Sequence, residues 1–401
     1  MLGKRSLLAT VFFVLTAATP VVAEDTPGVT ATEIKIGNTD AYSGPVSPFS
    51  VIAKLESAFF KMVNDQGGVA GRKINFISLD DGYSPPKTLE QVRRLIEEDQ
   101  VALLFNTLGT PTNSAIQRYV NEKKVPHLFI STGANKWGDY QHFPWTMGFQ
   151  PSFRTEAQIY AKYMLREKSD AKVAILYQHD DLGKDYVAGM RDVLGDKFDQ
   201  TVVTASYETT DPTIDSQITS LQAAGANVLL LAATPKFAAQ AIREVHDLNW
   251  KPLFFMSNVS ASVGAVIKPA GPENAIGMIT AVYLKDSNDP AWKNDAGMNE
   301  WRDFMVKYMP GADTTDDSYV FAYAVSKAML QVLKQCEGNF TRENIMKQAA
   351  NLHDLELPTL YPGIKVNTSP TNYHPIQQMN LAKFDGTHWV PFGDVVSGAG
   401  D

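Results

Sequence analysis

The chain has 401 residues, of which 44% are hydrophobic and 20% charged, with a formal net charge of −8. That acidic balance argues against nucleic acid as a partner, because binding phosphates needs a basic face. A single cysteine, Cys336, forbids an internal disulfide, so a packed core must hold a fold whose length suits two domains of about 100–200 residues each.

Lys4 and Arg5 precede the apolar run "LLATVFFVLTAA", and "TPVVA" then leads into "EDTPG". A basic start, a short apolar run and a small-residue end form the pattern of a secretory signal cleaved after Ala23. The run is shorter than the about 20 apolar residues of a spanning helix. No later stretch is long and apolar enough to span either, which predicts a soluble mature chain in the periplasm.

Strand and helix then alternate. "IKIGN" (34–38) predicts a strand, and the following helix carries Ile52, Leu55, Phe59 and Met62 on one face before glycines stop it. "INFISLD" (74–80) is the next strand. "SPPKTLEQVRRLIEED" opens a helix with proline in its first turn and turns Leu89, Val92, Leu95 and Ile96 inward. "VALLF", a helix over 112–123 and "PHLFI" (126–130) continue the rhythm. The segment 145–157, "WTMGFQPSFRTEA", reads as the passage to a second lobe.

That second lobe repeats the pattern with strands at 172–177, 201–207, 227–233 and 252–257, and helices from about 184, at 213–224 and at 235–248. After "AIGMITAVYL" (275–284) come helices around 290–309, 317–337 and 341–351. An irregular, proline-broken tail follows, and "IQQMNLAKFDG" with "HWVPF" predicts a closing hairpin. Near-continuous apolar strands between amphipathic helices mean parallel sheets covered on both faces. The fold class is therefore α/β, with two doubly wound lobes and a cleft. In such sheets ligands sit outside the carboxyl ends of strands.

Motifs for chemistry are missing. The seven histidines show no metal-ligand spacing, and there is no phosphate-binding glycine loop, dinucleotide fingerprint or nucleophile elbow. The chain calls for no cofactor and no metal. Carboxylate pairs stand at Asp80-Asp81, Asp180-Asp181 and Asp316-Asp317, and read as solvated loop residues. Cys336 reads as a packed helix residue. Three triplets, "NVS", "NFT" and "NTS", match the glycosylation acceptor by pattern alone.

What remains is two adjacent strand ends, "NTLGTP" and "ISTGANKW", rich in small polar residues. Backbone N–H groups at helix starts, joined by hydroxyls, bind a carboxylate without a cation. Thr110 is the first hydroxyl so placed, with Ser131, Thr132 and Asn135 next. Threonine and asparagine serve equally as helix caps, but two neighbouring edges of one character favour a site.

The segments "EIKIGNTDAYSGPVSPFS", "NDQGGVAGRKINFISLDDGYSPPKTLEQVRRLIEED", "ISTGANKW" and "LYQHDDLGKDYVAGM" resemble the periplasmic solute-binding proteins of branched-chain amino-acid-type ABC importers. The resemblance implies the type I periplasmic binding protein fold: two lobes, a hinge of three crossovers and a ligand trapped by closure. It places the first lobe at 24–147 and 281–356, the second at 148–280 and 372–401, and a crossover at 357–371. It implies a non-catalytic monomer that hands a small carboxylate or amino acid to a membrane permease.

Carried over residue by residue, the family's aromatic wall falls on Phe49 and its carboxylate-binding serine on Thr110. A backbone contact falls on Gly133, and a second hydroxyl on Asn135. Two expected tyrosines are Leu182 and Thr234. The acid that should pair with an α-ammonium falls within "MSNVSAS", where Asn258 and Val259 stand instead. Burying an ammonium without a carboxylate costs several kcal/mol, so the pattern favours an aromatic or aliphatic acid over leucine. Two rival readings are an exported hydrolase or lyase using Asp80 or Asp181, and a ligand sensor serving a chemoreceptor. N-terminal sequencing of the exported protein should begin at Glu24; an intact Met1 on a membrane-bound form would refute cleavage.

Overall fold

A computed structural model describes residues 26–398, so the signal segment and its cleavage point lie outside the described residues. The first sheet contains β1 (Glu33–Asp40), β2 (Lys73–Asp80), β3 (Leu103–Phe105), β4 (His127–Ile130) and β5 (Thr146–Gly148). All are parallel, in the order β2-β1-β3-β4-β5. Helices α1 (Val51–Asp65), α2 (Pro85–Arg93) and α3 (Thr110–Glu122) connect them.

The chain then enters α4 (Phe153–Glu167) and winds a second sheet through β6 (Val173–Gln178), α5 (Asp181–Leu194), α6 (Phe198–Thr201) and β7 (Val202–Tyr207). It continues through α7 (Asp215–Ala223), β8 (Val228–Ala232), α8 (Pro235–Asp247), β9 (Leu253–Met256), α9 (Lys268–Ala270) and β10 (Ile279–Val282). Next come α10 (Ala296–Tyr308), α11 (Ser318–Gln335) and α12 (Arg342–Ala349), before the hairpin β11 (Gln378–Phe384) and β12 (Trp389–Ser397) closes the chain. The strand order is β12-β11-β10-β9-β8-β6-β7. Its five parallel strands repeat the winding of the first sheet, and the hairpin adds two antiparallel strands beside β10.

Residues 145–157 differ in part from the sequence reading. Thr146–Gly148 is a strand paired with β4, and α4 has begun by Phe153, so the passage between sheets narrows to 149–152. Three residues are too few to show a strand's alternation; the pairing is fixed by the ladder, as where His127 N donates to Trp145 O at 2.8 Å.

Helices α10 to α12 follow β10 yet pack on the first sheet's helices. Phe59 of α1 meets Tyr323 of α11 edge-on at 5.5 Å, and the Arg342 guanidinium of α12 donates to Val101 O at 2.9 Å. In the second lobe Tyr160 of α4 stacks on Phe255 at 5.0 Å. Each fully buried aliphatic side chain of these strands contributes roughly 1.5–3 kcal/mol relative to exposure. The second and third crossovers lie side by side: Tyr361 N donates to Tyr283 O at 2.9 Å, and Lys285 N to Thr359 O at 3.0 Å.

One core group runs against this pattern. Glu56 on α1 is fully buried, and among the described residues neither carboxyl oxygen has a hydrogen-bond partner. Burial, with Asp40 nearby, pushes its carboxyl well above the usual range. Leaving such a group unsatisfied costs about 1–3 kcal/mol. Glu56→Met should therefore raise the unfolding free energy by a similar amount in denaturant titrations.

Candidate functional site

The carboxyl ends of strands from both sheets line one cavity of about 110 Å³, far more than the about 10–15 Å³ that one water requires. Thr110 follows β3, and Ser131 and Thr132 follow β4. From the second sheet come Leu182 after β6, Thr234 after β8, and Asn258 and Val259 after β9. This is the position where wound sheets take ligands.

The turn into α3 is built with care for space. Gly109 has φ +95°, and a Cβ there would come within 2.3 Å of the Tyr83 ring, so only glycine lets that ring lie against the helix start. Asn113 Nδ2 reaches back to Gly109 O at 2.6 Å and to Thr107 O at 2.9 Å. Pro111 in the first turn suits the helix without losing a needed donor. Because the cap residue is glycine, the cap itself offers no side-chain acceptor to the first N–H groups of α3.

Around that helix start the hydroxyls gather. Thr110 Oγ1 and Thr132 Oγ1 are 2.5 Å apart and buried. Ser131 is 5% exposed, and among the described residues its hydroxyl has no partner; Gln150 Oε1 is likewise unpartnered. Both residues line the cavity. Six rings share the remaining lining with aliphatic and polar side chains: Phe49, Tyr83, Phe153, Tyr283, Phe321 and Trp389. Lys285 lines the cavity too, but its ammonium is held by Asp295 at 2.7 Å and Pro358 O at 2.9 Å.

On the second lobe, Glu156 of α4 lies beneath the loop after β9. It accepts from Asn258 N at 2.8 Å, from the Asn258 side-chain amide, from Tyr160 OH at 2.5 Å and from Tyr186 OH at 2.7 Å. Glu156 is fully buried and stands outside the cavity lining. Burial pushes its carboxyl up to about 7, against those four donors. It fixes the loop and has no oxygen turned to a ligand.

Of the ten residues singled out from sequence, Phe49, Thr110, Ser131, Thr132, Leu182, Thr234, Asn258 and Val259 line the cavity. Gly133 and Asn135 do not. Gly133 O accepts from Phe153 N at 2.8 Å, and a Cβ on it would meet Pro151 O at 2.4 Å. Asn135 N donates to Asp185 at 2.6 Å, while its Oδ1 accepts from Ser152 at 2.9 Å. Both belong to the joint between the lobes.

The carboxylate pairs differ from their solvated reading. Asp81 is fully buried and accepts from Tyr83 N and Thr88 Oγ1, each at 2.8 Å, and Asp316 is only 8% exposed. Asp317 lines the cavity, as does Asp286, which the sequence reading passed over although it follows the end of β10. Asp80 and Asp181 lie outside it, paired with Lys87 at 3.1 Å and Lys136 at 3.2 Å. Contacts between lobes close the cleft at its rims. Besides Asn135–Asp185 and Lys136–Asp181, Ser262 Oγ donates to Asp316 at 2.9 Å, Gly264 N to Thr315 O at 2.9 Å, and Lys268 to Thr315 Oγ1 at 2.7 Å.

Comparison with known proteins gives a consistent result. The family model described as periplasmic binding protein matches residues 33–388. The Leu/Ile/Val-binding protein homolog 7 of Brucella abortus (strain 2308) is 23% identical over 337 residues, covering 81% of this chain and 82% of that protein. A branched-chain amino acid ABC transporter protein of Thermus thermophilus, crystallised with bound valine, superposes with a TM-score of 0.81 at 14% identity, covering 92% of this chain and 97% of that one. A solute-binding protein of R. palustris in complex with benzoate gives 0.75 at 18% identity, covering 91% and 98%. The likeness to these structures establishes the type I fold.

The Glu156 carboxyl sets a pH test. Its folded value, about 7, lies above the 4.5 of the free group, so the folded state holds the proton longer than the unfolded one. The stability it contributes is complete below about 4.5 and falls as pH rises through about 7, by about 3 kcal/mol in all. Glu156→Gln lacks this loss. In thermal melts, the difference between variant and wild type should move in the variant's favour between pH 5 and pH 8.

Proposed function

The chain belongs to the periplasmic binding protein family, and we propose that it is the ligand-capturing component of an ABC importer, taking a small carboxylate with an aromatic or aliphatic body in preference to a branched-chain amino acid. It works in the periplasm, without turnover, and passes its ligand to a membrane permease. One observation carries this reading. The Ser131 hydroxyl, without a partner among the described residues, stands with the Thr110–Thr132 pair at the glycine-capped start of α3, in a cavity lined mainly by apolar side chains.

An anion at that place takes hydroxyl and backbone donors that are otherwise unmet, and the positive end of the α3 dipole favours its charge. An α-ammonium meets no acid at the place the family reserves for it; the acids of the lining are Asp286 and Asp317. Asn258 and Val259 occupy the family's acidic position, and Glu156 beneath them is fully engaged. The benzoate seen in one structural neighbour and the valine in another mark the two ligand chemistries between which the cavity chooses. A ligand touching strand ends of both lobes biases an open–closed equilibrium toward closure.

Calorimetric titration with benzoate, 4-methyl-2-oxopentanoate and leucine tests the proposal. At least one of the two acids should bind more tightly than leucine, with no product formed on incubation. Thr110→Val removes a charge-assisted hydrogen bond of about 1.5–3 kcal/mol, so affinity for that acid should fall roughly 10- to 150-fold. Unchanged affinity would place the anion elsewhere; a preference for leucine would overturn the ligand class; turnover would overturn the receptor reading.

A further inference from the structure

His127 opens β4 and is fully buried. Its Nε2 lies 2.6 Å from Thr107 Oγ1, and among the described residues its Nδ1 has no partner. Thr107, also fully buried, stands just past the end of β3. Its hydroxyl lies 2.5 Å from Asn113 Oδ1. Its carbonyl oxygen accepts from Asn113 Nδ2 at 2.9 Å and from Ser131 N at 3.1 Å. None of His127, Thr107 and Asn113 lines the cavity.

The hydrogens of this chain follow by elimination. Asn113 Nδ2 faces two carbonyl oxygens, that of Thr107 and that of Gly109 at 2.6 Å, so turning the amide about would set oxygen against oxygen. Asn113 Oδ1 is therefore the acceptor of the pair, and the single O–H of Thr107 goes to it. The Thr107 oxygen then has only lone pairs to offer His127, so the ring proton sits on Nε2 and is donated. Nδ1 is left bare. That agrees with its lack of a partner, since an N–H buried there would go unsatisfied. Burial pushes the imidazole down to about 3, so the ring is neutral at pH 7.

The chain ends at the place where Thr110 and Ser131 stand. Asn113 Nδ2 on Gly109 O sets the plane of the Gly109–Thr110 peptide, and because that peptide is trans, the Thr110 N–H points the opposite way, out of the start of α3. Thr107 O holds the Ser131 amide, and Gly109 N donates to Ser131 O at 3.3 Å. One threonine thus ties the helix start to the neighbouring strand end. With the ring N–H on its oxygen, the Thr107 hydroxyl has one direction left, toward Asn113, and its polarised O–H binds the amide more strongly.

We infer that His127, held as the neutral Nε2–H tautomer, is a positioning residue for ligand binding: through the Thr107 hydroxyl and the Asn113 amide it sets the helix start of Thr110 against the strand end of Ser131. The inference rests on the carboxylate reading of Thr110 given above.

Two measurements test it. Long-range proton–nitrogen NMR spectra of the mature protein with isotope-labelled histidine, assigned by the signal that His127→Gln removes, should show Nε2 protonated and Nδ1 bare at pH 7, and Thr107→Val should move the Nε2 resonance. A proton on Nδ1 overturns the inference. In the second, benzoate and 4-methyl-2-oxopentanoate are titrated calorimetrically into each variant, well below its melting temperature. His127→Leu and Thr107→Val should each weaken the bound acid roughly 3- to 10-fold, while His127→Gln, whose amide offers the same donor, should stay within about twofold of wild type. Unchanged affinity in Thr107→Val, or a loss in His127→Gln as large as in His127→Leu, overturns the inference; Thr107→Val decides alone where His127→Leu does not fold. If Thr110→Val weakens the acid and Thr107→Val does not, the role of His127 falls and the carboxylate reading stands. If neither acid binds, or Thr110→Val changes nothing, the carboxylate reading fails and this inference fails with it.

Discussion

The hydroxyls of Thr110 and Thr132 meet across two strand ends at 2.5 Å, and the rest of the site depends on what holds those ends together. β3 and β4 are neighbours in the first sheet, so their exits are adjacent by topology. Adjacency alone leaves the loops free to diverge. Gly109 with its positive φ, the Tyr83 ring packed where a Cβ would stand, and the Asn113 amide bonded to Gly109 O remove that freedom. The helix start is thereby aimed and left uncapped at once, which is a cost to the folded chain alone and an advantage once an anion arrives.

The same economy governs charge. Among the described residues the cavity lining holds one lysine, Lys285, and Asp295 already pairs with it. A carboxylate held by dipoles and hydroxyls avoids the desolvation of a buried ammonium or guanidinium, and a buried ion pair is weakly stabilising at best. Acids, in contrast, are buried freely: Asp40 and Glu156 are each pushed up to about 7 by burial. Glu156 turns that burial to use, since its four donors fix the loop that presents Asn258 and Val259.

Much of this was legible in the sequence because the signals are local. Alternation of apolar strands with amphipathic helices gave two wound sheets, and "NTLGTP" and "ISTGANKW" marked the strand ends that the cavity uses. The parts that stayed hidden depend on contacts far apart in the chain. β5 is too short to show a period and exists through its pairing with β4. Glu156 carries no mark in the sequence, because the loop after β9 that folds onto it lies 102 residues later in the chain. Asp317 reads as solvated and Asp286 goes unnoticed because nothing nearby says that the crossover and the head of α11 face one cavity. Gly133 and Asn135 show the reverse difficulty: a polar strand end marks an edge, and which of its residues turn toward the cleft is decided by how the chain leaves it.

The pairing of the second and third crossovers bears on motion. Tyr283 and Lys285 are bonded to Tyr361 and Thr359, so these two connections form a short ribbon that must bend as one piece. Residues Tyr283 to Asp286 belong to that ribbon and also to the cavity wall. On the function proposed above, a longer or bulkier ligand would press on these connections directly, and the angle between the lobes would follow the shape of the ligand.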